Sequence, residues 1–176
     1  MRILFILFSI ALISSCSTAQ TGYSTSNKKA IKLFEAGIQA PNQIDPKTNR
    51  PDYMSGIDLM NKALEKDPKF WEAHMNAGEF YEILGDYPNA IKHFEAALAI
   101  NPNHSPTGST YFYLANLQQA IGDYDKAIKN LDIYIRNRNA NPDLVRQAYT
   151  MQESCVFALE SIQNPQKFNP INIGPG

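Results

Sequence analysis

A period of 34 residues in the middle of the chain constrains its fold more than any other feature. Ala63 recurs as Ala97 and Pro68 as Pro102, each 34 positions later. The triplet Gly85-Asp86-Tyr87 recurs as Gly122-Asp123-Tyr124, and we place the three extra residues of this longer interval in a turn at 105–107. Periods of this length are typical of arrays in which each repeat is one small helical unit. The sequence therefore predicts a stack of such units.

The unit at residues 71–104 has the pattern of two short packed helices. Gly85 can adopt the left-handed conformation that ends a helix, Asp86 can cap the next helix, and Pro88 suits a first helical turn. Neighbouring helices approach closely only where one side is small, and large side chains fill the space beside that contact. The small residues are Ala77, Gly78, Ala90 and Ala97, and the large ones are Tyr81, Leu84, Phe94 and Leu98.

This pattern resembles the tetratricopeptide repeat (TPR), because the small residues, the aromatic residues and Pro102 fall where that family places them. His74 and Ala77 depart from the larger residues usual there. The resemblance implies an all-α fold, a TPR-type right-handed helical solenoid of three helix pairs plus a C-terminal capping helix. We expect repeats at about 27–70, 71–104 and 108–141, a capping helix at 143–162, and an extended tail or linker at 163–176. An insertion at 41–51, with three prolines, interrupts the first repeat.

The N-terminal 15 residues have the features of a signal peptide. Arg2 precedes an apolar run, Ile3 to Ile13, that is too short to span a bilayer. The following Ile13-Ser14-Ser15-Cys16 resembles a bacterial lipobox, which implies a lipid on Cys16 and attachment to the periplasmic face of the outer membrane. Residues 16–26 then form a flexible tether. Cleavage after Ala19 is the alternative, and either route takes the protein out of the cytoplasm.

Composition and motifs give no indication of catalysis. The net charge of −1 and pI near 6.3 do not suggest nucleic acid as a partner. The three histidines show no metal-ligand spacing, and we find no phosphate-binding loop, nucleophile motif or paired carboxylates. We therefore expect no enzymatic activity, metal or cofactor. Cys155 lies in a helical pattern and is interpreted as a buried thiol.

The first helix of each TPR unit lines a concave groove, so the resemblance identifies a candidate partner-binding surface. Ile83 is expected on the groove-lining face of its helix. The alternative interpretation is that this face is a charged, solvent-exposed surface that binds no partner. Some TPR domains clamp a peptide carboxylate with Lys and Asn, and Asn76 and Asn116 match the Asn positions of that clamp. The first helices of repeats two and three contain no Lys or Arg, however, and an acidic groove would repel a carboxylate. The candidate groove residues are Glu72, Met75, Glu79, Glu82, Phe112, Asn116 and Gln119.

A TPR stack without catalytic groups predicts a protein–protein interaction scaffold whose partners are periplasmic or outer-membrane proteins. The lipobox, repeats and tail are similar to the N-terminal module of Bacteroidetes envelope proteins, where a WD40-like propeller and an OmpA-like domain follow. Some of those proteins serve type IX secretion or gliding. The alternatives are a TPR lipoprotein of outer-membrane assembly and a glycan-binding nutrient-capture lipoprotein. The insertion at 41–51 has no aromatic residue, which argues against the glycan-binding alternative.

Overall fold

Seven α-helices form most of the computed structural model, which describes residues 22–105 and 108–165. A short 3-10 helix, Ala40–Asn42, and two short strands lie between the first two α-helices. The strands are β1 (Ile44–Asp45) and β2 (Arg50–Pro51). The α-helices are α1 (Lys28–Gln39), α2 (Tyr53–Lys66), α3 (Trp71–Ile83), α4 (Tyr87–Ile100), α5 (Ser109–Ala120), α6 (Tyr124–Ile135) and α7 (Pro142–Gln163).

Local capping explains where several helices begin and end. Asp52 accepts a hydrogen bond from the backbone N–H of Ser55 at 2.9 Å, and Asp86 accepts one from Asn89 at 3.2 Å. Gly85 has φ +77°, the left-handed conformation that ends α3. The cap at Asp86 confirms the predicted start of α4, and Asp52 caps α2 in the same way.

Small residues let consecutive helices pack as hairpins, α1 with α2, α3 with α4 and α5 with α6. The backbone of Gly78 lies so close to the Phe94 ring that a β-carbon added to this glycine would come within 2.9 Å of it. Ala90 and Ala97 have no exposed surface. Three apolar clusters follow one another along the stack. The largest buried side chains in these clusters are Phe34, Met60, Phe70 and Phe80 in the first, Met75, Phe94, Leu114 and Leu117 in the second, and Phe112, Leu131 and Tyr134 in the third.

The insertion in the first repeat folds as a small antiparallel hairpin. Ile44 pairs with Pro51 and Asp45 with Arg50. The Asp45 carboxylate accepts hydrogen bonds from the Lys47 N–H at 2.8 Å and from the Thr48 hydroxyl at 2.9 Å, and these bonds lower its pKa. The sequence predicted the break in the helix here but not the hairpin.

The segment just before α1 is packed against the repeats. The Tyr23 ring makes edge contacts with Phe34 at 5.3 Å and Phe70 at 5.9 Å. Asn27 caps α1, and its side-chain amide donates to the Lys66 carbonyl at 2.9 Å. The expectation of a flexible tether as far as residue 26 is therefore corrected for residues 23–26. The signal peptide, Cys16 and residues 166–176 lie outside the described residues. Within the described ranges, no helix combines the length and apolarity needed to cross a membrane.

Candidate partner-binding surface

Two carboxylates and two exposed apolar side chains line a cavity between α3 and α5. Its volume is about 270 Å³, and its lining residues are Glu79, Glu82, Ile83 and Tyr113. Ile83 is 57% exposed and Tyr113 is 38% exposed, so both side chains are accessible to a partner. Tyr113 also stacks on Phe94, with ring centroids 6.5 Å apart, which anchors its ring to the core.

The two carboxylates of this cavity hold their charge less readily than free glutamates. Desolvation raises the pKa of Glu79, and repulsion from Glu82 raises it further. Desolvation also raises the pKa of Glu82. Glu79 is exposed as a whole residue, but protein atoms crowd around its carboxyl group. A cation placed between the two groups would relieve this unfavourable environment, so the cavity favours a positively charged ligand group.

The two apolar anchors predicted for the groove lie in the core. Met75 is 6% exposed and Phe112 is 7% exposed. The Thr110 hydroxyl donates to the Met75 sulfur at 3.6 Å, and the Phe112 ring packs on Tyr134 with centroids 5.3 Å apart. Both predictions are corrected, because burying these large apolar side chains under a neighbouring helix is more favourable than leaving them in the groove. Tyr113, which directly follows Phe112, is the exposed aromatic that sequence reasoning missed.

Glu72 holds the chain's own N-terminal segment instead of lining an open groove. Its carboxylate accepts hydrogen bonds from the Ser24 N–H at 3.0 and 3.1 Å and from the Ser24 hydroxyl at 2.6 Å. The His104 ring lies 3.4 Å away and stacks on Trp71 with centroids 4.0 Å apart. Nothing in the sequence signals a contact between residues 48 positions apart, so this role was not predicted.

The remaining predicted residues lie on other parts of the surface. Asn116 is exposed on α5. Gln119 belongs to a second cavity, about 460 Å³, whose other lining residues are all on α7. Asn76 donates to the Glu72 carbonyl at 3.0 Å. The structure thus brings Glu79 and Glu82 together as predicted and separates them from Gln119.

Two of the three histidines meet between α3 and α4. The Nδ1 atoms of His74 and His93 are 3.2 Å apart, a contact that the sequence did not predict. Among the described residues, no group of three or more His, Cys, Asp or Glu side chains could hold a metal ion. We therefore interpret the histidine pair as a structural contact.

Comparisons with known proteins identify the architecture. A family model described as tetratricopeptide repeat matches residues 72–138. The fold is a TPR solenoid. The first TPR domain of Spaghetti (RPAP3), solved with the HSP90 peptide SRMEEVD, superposes with TM-score 0.62 at 19% identity, covering 75% of this chain and 97% of that one. The Sgt2 TPR domain of Aspergillus fumigatus gives TM-score 0.58 at 18% identity, covering 85% and 92%.

Curated relatives match less than half of this chain. Superkiller complex protein 3 of Mus musculus is 35% identical over 79 residues, which is 44% of this chain and 5% of that protein. The same protein of Homo sapiens is 32% identical over 81 residues, 45% of this chain and again 5% of its own length. The chain thus spans about a twentieth of the length of these relatives, so the similarity concerns the repeat unit.

Proposed function

We propose that this TPR domain is a protein-binding scaffold of the bacterial cell envelope, and that the cavity between α3 and α5 binds a partner segment. The observation that carries the proposal is the meeting of exposed Ile83 and Tyr113 with the desolvated Glu79 and Glu82. Apolar side chains of a partner would pack on Ile83 and Tyr113, and a Lys or Arg of the partner would form an ion pair with Glu79 or Glu82. Aromatic anchors supply much of the affinity at such surfaces, while charges set selectivity.

A known TPR complex supports a peptide as the class of partner and suggests a difference in charge preference. The RPAP3 domain was solved with the peptide SRMEEVD, which carries three acidic residues. In this chain the cavity between α3 and α5 carries two carboxylates, and neither of these helices contains a Lys or Arg. Like charges would repel an acidic peptide, so this domain selects a basic one.

The envelope location is the second part of the proposal. It is supported by the signal-peptide features of residues 1–15 and by the lipobox that ends in Cys16. We propose an outer-membrane lipoprotein that faces the periplasm and is associated with type IX secretion or gliding, with a lipid on Cys16. Its partners would then be periplasmic or outer-membrane proteins.

A pair of charge-reversed peptides tests the binding surface. Fluorescence anisotropy with the full chain would compare labelled SRMEEVD with SRMKKVK, in which Lys replaces the three acidic residues. We expect the basic peptide to bind at least about tenfold more tightly at low salt. Its binding should weaken as the pH falls through the raised pKa values of Glu79 and Glu82, because protonation removes the attracting charge.

Variants of the cavity separate apolar anchoring from charge. Tyr113→Ala should weaken binding of the basic peptide more than Glu79→Gln, while only the latter should markedly reduce the salt dependence. Tyr87→Ala, at the start of α4 and similarly exposed at 37%, is the matched control. Equal binding of both peptides, or an unchanged affinity of the Tyr113 variant, would refute this surface.

A further inference from the structure

The last helix leaves an apolar stripe uncovered. One side of α7 packs on α6, where Ala148 and Cys155 are fully buried and the Gln152 amide donates to the Asp132 carboxylate at 2.7 Å. On another side, Tyr149 is 52% exposed, Val156 42% and Phe157 71%. Their spacing of seven and eight residues places them on one stripe of the helix. Phe157 is the most exposed large hydrophobic residue of the described chain.

This stripe lines a shallow depression large enough for side chains of another helix. Its volume is about 360 Å³, and it is lined by residues of α7 alone. Each earlier odd-numbered helix of the stack pairs with the helix that follows it, whereas α7 has no following helix among the described residues. The exposed stripe therefore lies on a helix with no following helix packed against it in residues 22–105 and 108–165.

Two carboxylates give the stripe a definite charge. Glu153 and Glu160 lie one helical turn from Val156 and Phe157 and line the same depression. Within the described residues, neither forms an ion pair with a Lys or Arg. After Arg146, whose guanidinium contacts Asp143 at 2.6 Å, α7 contains no basic residue. The surface is thus apolar at its centre and acidic at its margins.

The same charges disfavour a second copy of this chain as the occupant. A two-fold antiparallel pairing centred between Val156 and Phe157 would place Glu153 of one copy beside Glu160 of the other, because the two lie equally far from that centre. Both ends of the contact would then carry like charges, which opposes pairing. A helix of opposite charge has no such penalty.

We propose that this face of α7, formed by Tyr149, Glu153, Val156, Phe157 and Glu160, docks an amphipathic helix of another protein. The apolar residues of that helix would cover Val156 and Phe157, and its flanking Lys or Arg side chains would pair with Glu153 and Glu160. Docking would pair the exposed stripe of α7 with a helix of the partner. This mode, an amphipathic helix laid along an apolar surface, is a common form of peptide recognition.

Three designed peptides test the proposal on the full chain. The probe is a labelled helical peptide of about four turns with Leu along one face and Lys on both flanks. The comparison peptides are the same helix with Glu flanks and a scrambled version of the Lys peptide. We expect anisotropy to show the Lys peptide binding at least about tenfold more tightly than either. Phe157→Ser should reduce binding by a similar factor, because it removes the main apolar contact.

Further variants assign the effect to this face. The double variant Glu153→Gln and Glu160→Gln should lower the salt dependence of binding, because the charges that attract the Lys flanks are gone. Tyr87→Ala, at an exposed position of α4 outside both surfaces, should leave binding of the Lys helix unchanged. The proposal can fail separately from the cavity between α3 and α5, because Phe157→Ser leaves that cavity intact. Thermal unfolding of each variant checks that the fold is retained.

Three outcomes would overturn the proposal. The first is equal binding of the Lys peptide and its scrambled version, or full binding by the Phe157 variant. The second is a dimer in light scattering that Phe157→Ser converts to a monomer, which would assign the face to a second copy. The third is peptide binding that requires removal of residues 166–176, which would assign the face to the chain's own tail.

Discussion

The contact between His74 and His93 shows how two residues can make the fold sensitive to acid. The Pro68 carbonyl lies 3.2 Å from Nε2 of His74 and can only accept a hydrogen bond, so that nitrogen carries the proton. Nδ1 of His74 then accepts from the protonated Nδ1 of His93, 3.2 Å away. Tyr81 stacks on the His93 ring with centroids 5.4 Å apart. This arrangement requires the His74 ring to be neutral, and it places the His93 ring in a buried contact.

Acid should therefore weaken the folded state through His93. Burial lowers the pKa of His93 from 6.5 to about 4, with smaller contributions from His74 and Lys92. Because the unfolded chain binds the proton more readily, this stabilisation is complete above pH 6.5 and is lost as the pH falls towards 4. The loss is roughly 3 kcal/mol at most.

Urea unfolding at several pH values measures this effect. Between neutral pH and the lowered pKa, the free energy of unfolding should fall more steeply for the wild type than for His93→Gln. Parallel curves for the wild type and the His93 variant would show that the pair does not titrate as described.

Helix boundaries were the most predictable part of the structure, because their signals are local. Gly85 and Asp86 gave the boundary between α3 and α4, and the expected capping helix at 143–162 agrees with α7, Pro142–Gln163. The residues that line the groove were predicted less well, because the sequence period does not determine how far each helix is rotated about its own axis. Glu79 and Glu82 meet as expected, but Phe112 turns inward and its neighbour Tyr113 faces the cavity. The contact of Ser24 with Glu72 depends on the folded stack and has no local signal.

The close packing of α4 gives a prediction for a single element. Ala97 is completely buried, so Ala97→Leu would force extra methylene groups into a filled contact and should cost about 1–3 kcal/mol. Ala99→Leu makes the same change at an exposed position of the same helix and should shift stability by less than about 0.5 kcal/mol. Thermal and urea unfolding measure both variants. Equal stability of the two would contradict the repeat register.

For the whole molecule, the proposed lipid on Cys16 gives a prediction about processing. Mass spectrometry of the membrane fraction from bacteria expressing the full chain should find Cys16 as the N-terminus, carrying a diacylglyceryl group. Cys16→Ser should abolish the modification and release the protein from the membrane fraction, while Ser15→Ala should retain both. A wild-type protein that begins at Gln20 would establish cleavage after Ala19 instead.

The packing of Tyr23 and Ser24 against the repeats limits how far the repeats can lie from a membrane that holds Cys16. Gly22, where the described chain begins, lies only six positions after Cys16, and an extended chain covers about 3.5 Å per residue. A lipid on Cys16 would therefore moor the first repeat within roughly 20 Å of the bilayer surface. Such a short linker would keep the repeats beside the membrane. There they would meet membrane-bound partners far more often than partners that diffuse through the periplasm.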